Sequence, residues 1–135
     1  VFGIIIASHG MIGTALVDTA ANIFPCATKV CVFTIDWDAA WDDVKKNMAR
    51  EIDSMKQSGD ILIMTDMFGG TPNNVAMTFY ERERVEVISG INLPLLLKAL
   101  VGSTQHRSVS EMAKELKKEA ERTIVVAGSI LGDQA

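Results

Sequence analysis

Along the chain, hydrophobic positions alternate between two periods. Phe2 to Ala7 is a near-continuous apolar run, the pattern of a strand buried on both faces. From about Met11 to Phe24 the period becomes helical, with Leu16, Thr19, Ala20, Ile23 and Phe24 on one stripe and Pro25 as the stop. Lys29 to Ile35 reads as a second strand. The clearest helical signal follows. Trp37, Trp41, Val44, Met48, Ile52 and Met55 recur at steps of four and three, with Asp42, Asp43, Lys45, Lys46, Arg50 and Glu51 between them. That spacing assigns both tryptophans to the core rather than to a ligand.

Ile61 to Thr65 is a short third strand, and a helix is expected from about Pro72 to Tyr80. Val85 to Ile88 reads as a fourth strand. Asn92, with Pro94 in the first turn, predicts the N-cap of a helix reaching Leu100 or Val101. Gly102 to Arg107 is polar and loop-like, and it places His106 in solvent. Ser108-Val109-Ser110-Glu111 is a capping box, with Val109, Met112, Ala113, Leu116 and Ala120 striping the helix behind it. Ile124 to Ala127 reads as a last strand or as the end of that helix, the strand being preferred. Strands alternating with helices predict βαβ units. The fold expected is therefore a three-layer α/β architecture, with a mainly parallel open sheet and helices on both faces.

Composition bounds the function. A chain of 135 residues, nearly half of them apolar, suits one domain with a substantial core. A net charge of −4 leaves no basic footprint, so nucleic acid is not an expected partner. No apolar run reaches the length of a membrane span, and the start lacks the basic region and cleavage site of a signal peptide. Cys26 and Cys31 form no CxxC pair and are expected as reduced, structural thiols. No His, Cys, Asp and Glu set has metal-ligand spacing, and nothing visible calls for a metal or an organic cofactor.

Candidate chemistry gathers at two strand ends. His9 follows strand one in Ser8-His9-Gly10-Met11-Ile12-Gly13, and Asp66 opens the turn Asp66-Met67-Phe68-Gly69-Gly70-Thr71-Pro72 after strand three. In open parallel sheets, ligands collect where strands end and helices begin. Strands one and three are often neighbours in such a sheet, which would bring His9 and Asp66 together. A carboxylate on one imidazole nitrogen fixes the tautomer and leaves the other nitrogen free to attack. The plainer alternative makes His9 a loop histidine capping the next helix. Thr71-Pro72 reads as N-cap and N1, a sufficient structural reason for both residues. The same geometry exposes N–H groups to an anion, and Gly69 and Gly70 let backbone approach it closely, so Gly70 and Thr71 are the candidate phosphoryl-binding residues. Met11, Met67 and Phe68 could rim the site. A rival reading overlays Ser8 to Gly13 on G-x-G-x-x-G, with Asp36 at the ribose distance, as a nucleotide site. It lacks the first glycine.

Three segments together resemble a known family. The strand ending in Ser8-His9-Gly10, the turn Asp66 to Pro72 with Asn73-Asn74, and Ile88-Ser89-Gly90-Ile91-Asn92-Leu93-Pro94-Leu95-Leu96 are similar to the IIA domain of the mannose family of the bacterial sugar phosphotransferase system. The likeness spans essentially the whole chain as one domain, 1–135. It implies a flavodoxin-like cytoplasmic phosphocarrier, usually a homodimer paired through a C-terminal, antiparallel strand. Phospho-HPr would be the donor, a IIB component the acceptor, and the membrane would be reached only through IIC and IID components. By position, His9 matches the phosphorylated histidine and Asp66 the aspartate that orients it, leaving Nε2 as nucleophile; Thr71 stands near the phosphoryl group. Many relatives continue through an Ala/Pro-rich linker into IIB. Here the sequence ends at Gly132-Asp133-Gln134-Ala135, so the acceptor is expected on a separate chain, unless this is a piece of a longer one. A regulatory sensor built on the same domain is the alternative role. A related IIA-like domain serves a dihydroxyacetone kinase, but the Gly-Gly-Thr-Pro turn resembles the mannose branch more.

Overall fold

Four parallel strands form one sheet in the order β2-β1-β3-β4: β1 (Phe2–His9), β2 (Val30–Ile35), β3 (Asp60–Thr65) and β4 (Val85–Ser89). The computed structural model describes residues 1–105 and 107–132. The solvated position expected for His106 therefore lies outside the described residues.

The continuous apolar runs are explained by helices on both faces. On one face Ile4, Ile6, Leu62 and Met64 pack under α1 (Ile12–Ile23), α4 (Leu93–Ser103) and α5 (Val109–Thr123). On the other, Ile5, Ala7, Ile61 and Ile63 pack under α2 (Trp41–Lys56) and α3 (Thr71–Met77). Successive strand residues feed opposite layers, so β1 and β3 have no polar face to spare. The expected three-layer α/β fold is what forms.

Helix starts follow the predicted chemistry in two places. Asn92 Oδ1 accepts from the Leu95 N–H at 3.0 Å, and Ser108 Oγ accepts from the Glu111 N–H at 3.1 Å. At α3 the prediction shifts by one residue. Gly70, not Thr71, is the N-cap, and Thr71 begins the helix with Pro72 behind it.

Two expectations are corrected. The tryptophans are not core: Trp37 lies before α2 and is 91% exposed, and Trp41, its first residue, is 40% exposed. Their spacing mimics a helical stripe, but the helix begins only where Val44, Met48, Ile52 and Met55 can reach the sheet. Ile124 to Ala127 is no strand of this sheet. Ile124 and Val126 have extended dihedrals but pair with nothing among the described residues, and a short helix α6 (Ala127–Leu131) follows.

Gly13 sets how closely α1 lies on β1. A Cβ there would come within 2.8 Å of both Ile6 Cγ2 and Ser8 Oγ, and Ser8 Oγ accepts the Gly13 N–H at 2.8 Å. Ser8 thus closes the turn that G-x-G-x-x-G would close with glycine. Gly13→Ala should cost about 1–3 kcal/mol by overpacking. Urea unfolding checks this, and an unchanged midpoint would contradict the contact.

Candidate active site

β1 and β3 are hydrogen-bonded neighbours with Ala7 opposite Thr65, so His9 and Asp66 leave the sheet side by side. Asp66 Oδ2 accepts two bonds from one residue: from the His9 backbone N–H at 2.9 Å and from His9 Nδ1 at 2.7 Å. Its other oxygen, Oδ1, accepts from the Met67 N–H at 3.0 Å. The carboxylate is therefore fixed by backbone on both sides before it meets the ring. Gly10, at φ +50°, then turns the chain away from the sheet, a conformation costly for most side chains.

The turn carrying Asp66 is braced from below. Buried Asn73 accepts from the Thr65 hydroxyl at 2.9 Å, tying the end of β3 to α3, and Asn74 Nδ2 donates to the Gly69 carbonyl at 3.1 Å. Gly70 lies against the imidazole: a Cβ on it would come within 2.7 Å of His9 Cε1 and 3.4 Å of Nε2. Any side chain at this position would crowd the ring. Thr71 is exposed at the mouth of α3. Of the four residues expected here, Asp66 is bonded to His9 and Gly70 lies against the His9 ring, with Thr71 next to Gly70 in the chain.

Trp37 completes the site, and sequence periodicity misplaced it. Its indole stacks on the His9 ring, centroids 5.1 Å apart and planes at 29°. The usable signal was register: His9 pairs with Ile35, so a residue just past Ile35 lies beside it. Met11, Met67 and Phe68 are exposed on the turns that follow His9 and Asp66, and Phe68 also lines a cavity beside β4. Asp36, the ribose candidate, is exposed and closes a turn through its carbonyl to the Ala39 N–H. Cys26 and Cys31 are free thiols; burial, then the Glu51 charge, raises the Cys31 pKa, partly offset by Lys29.

Residues 3–121 match the model of the PTS system fructose IIA component family. The chain belongs to that family. It is 25% identical over 129 residues to the PTS system fructose-specific EIIA component of Bacillus subtilis (strain 168), covering 95% of this chain and 88% of that one. Over 63 residues it is 35% identical to the PTS system sorbose-specific EIIA component of Lacticaseibacillus casei, 46% of this chain and 45% of the relative. Among solved structures, the phosphotransferase system component EIIA from Streptococcus agalactiae superposes with a TM-score of 0.84 at 26% identity, covering 96% and 99% of the two chains. The mannose/sorbose specific IIA subunit from Enterococcus faecalis shares the fold, with a TM-score of 0.78 at 22% identity and 93% of each chain covered. As a IIA component the protein is a phosphotransferase-system transferase, with the phosphocarrier role of that family.

The electrostatics of this IIA site fix a tautomer. Burial of the Asp66 carboxyl would raise its pKa, but hydrogen bonds from the His9 backbone and ring, the ring's charge and its own backbone N–H bond hold it below the usual range. An ionised carboxylate only accepts, so Nδ1 carries the proton and a neutral ring keeps its lone pair on Nε2. His9 and Asp66 side chains are 19% and 9% exposed, so part of the ring meets solvent while the carboxylate is nearly covered.

A depressed carboxyl stabilises the fold fully above its unfolded value of about 3.9 and loses that contribution as pH falls through the lower folded value. The stability difference between the protein and Asp66→Asn should therefore shrink on acidification below about pH 4. Urea titrations across pH check this; a constant difference would contradict the pairing.

Proposed function

We propose that this protein is a cytoplasmic phosphocarrier of a sugar phosphotransferase system, a single IIA domain over residues 1–135. His9 Nε2 takes a phosphoryl group from phospho-HPr and passes it to a IIB component, with the membrane involved only through IIC and IID. The observation that carries this reading is the 2.7 Å contact between His9 Nδ1 and Asp66, which leaves Nε2 as the available nucleophile.

The chemistry balances without a metal or organic cofactor. The Nε2 lone pair attacks phosphorus, and the phosphorus–nitrogen bond of the donor histidine breaks, its electron pair staying on the donor ring. Because Nδ1 keeps its proton, the phosphorylated His9 ring is cationic, and Asp66 offsets that charge. A cationic ring is also a good leaving group for the second transfer. Such in-line transfer needs positioning and charge stabilisation more than covalent machinery. Without a side chain, Gly70 keeps bulk off the Cε1–Nε2 edge that the phosphoryl group approaches. The Thr71 hydroxyl and the Thr71 N–H, which precedes Pro72 and has no intrahelical acceptor, are its hydrogen-bond donors. The exposed rim of Met11, Ile12, Met67 and Phe68 supports docking of protein partners at this edge.

With phosphoenolpyruvate and the upstream enzymes, the protein should gain an acid-labile phosphate on His9. Mass spectrometry should find none in His9→Ala; label retained there would end the assignment. Asp66→Asn should slow transfer by at least about 10- to 100-fold, the range for partners that orient metal-bound imidazoles. An unchanged rate would remove Asp66 from the mechanism.

The homodimer is part of the same proposal. β4 is an open edge of the sheet, flanked by a cavity of about 790 Å³ lined by Met77, Tyr80, Val87, Ile88, Ala113 and Ala120. Ile124 and Val126, both extended, and Val125 between them are 76%, 65% and 61% exposed, an unpaired apolar segment in a chain whose β4 is a sheet edge among the described residues. In a dimer, each copy's segment pairs with the other's β4. Sedimentation should find a dimer for the protein and a monomer for Val125→Pro, whose ring removes a ladder donor. A monomeric parent protein would contradict the pairing.

A further inference from the structure

Trp37 stands almost wholly in solvent, yet it is stacked on the histidine of the site. An indole that is 91% exposed gains little from burial, so the hydrophobic effect does not account for its place. Backbone geometry delivers it instead. The turn Asp36 to Ala39, closed by a 3.1 Å bond from the Ala39 N–H to the Asp36 carbonyl, begins just past Ile35, the register partner of His9.

We propose that Trp37 is a positioning residue, which covers one face of the His9 ring and through its π face favours the cationic imidazole over the neutral one. Asp66 meets the ring in its plane at Nδ1, and Trp37 meets it from a face. The two act on different axes of the same cation. Transfer through Nε2 makes such a cation, so Trp37 also stabilises the phosphorylated ring. That second consequence rests on the phosphocarrier reading; the first does not.

The groups around the ring are few. Asp66, from the β3–α3 turn, is the one charged side chain paired with it among the described residues. Gly70 backs the Cε1–Nε2 edge. Asp36 and Asp38 flank Trp37, both exposed, and act alike in every Trp37 variant.

The test is a titration of the His9 ring signals by NMR, assigned against His9→Gln because the chain holds a second histidine, His106. Trp37→Ala and Trp37→Leu should each lower the His9 midpoint by about half a pH unit, and Trp37→Phe should keep most of it. Leucine keeps apolar cover without a π face, so agreement between Leu and Ala separates charge from packing. An amide spectrum like that of the parent shows that each variant is folded. A midpoint unmoved in Ala, or one in Leu equal to the parent's, overturns the proposal. The titration needs no phosphodonor. A chain that is never labelled on His9 would end the phosphocarrier reading and leave this result standing, whereas labelling with an unmoved midpoint would end the role of Trp37 alone.

Discussion

One carboxylate oxygen, Oδ2 of Asp66, holds both the backbone and the ring of His9, and the arrangement of the site follows from it. The backbone bond fixes where the carboxylate lies, so the ring bond reads out the fold rather than a chance rotamer. Both bonds exist because β1 and β3 are adjacent and parallel and end together. A sheet ordered differently would keep both residues and lose the contact.

The surroundings keep that pair usable. Asn73, buried under the turn, ties α3 to the end of β3, so Asp66 sits on a braced support. Gly70 keeps side-chain bulk away from the Cε1–Nε2 edge. On β1, Gly13 and Ser8 draw α1 close to the strand that presents His9. Precision in such a site comes from the elements beneath it, since a misplacement of an ångström costs orders of magnitude in transfer rate.

Much of this was legible in the residues. The alternation of continuous apolar runs with helical stripes implied a parallel sheet covered on both faces, and the neighbour rule for strands one and three brought His9 to Asp66. What stayed hidden has physical reasons. Trp37 and Trp41 are four apart, a helical step, but a turn of Asp36 to Ala39 breaks the helix between them and only register reveals where Trp37 goes. Ile124 and Val126 have the composition and dihedrals of a strand, but no described strand pairs with them, and pairing is not written in local pattern. Thr71 suits an N-cap, but the cap falls one residue earlier on Gly70, whose close approach to His9 excludes a side chain. Family membership speaks for the carrier role; the site geometry says which nitrogen can serve it.

The attachment point of phosphorus on the ring is the most direct measure of the account. In protein carrying ¹⁵N-labelled histidine and phosphorylated through the upstream enzymes, heteronuclear NMR identifies the nitrogen bonded to ³¹P. Coupling at His9 Nε2, with Nδ1 still protonated, is the predicted result. Phosphorus on Nδ1 would mean that Asp66 does not hold that nitrogen, and would contradict the account.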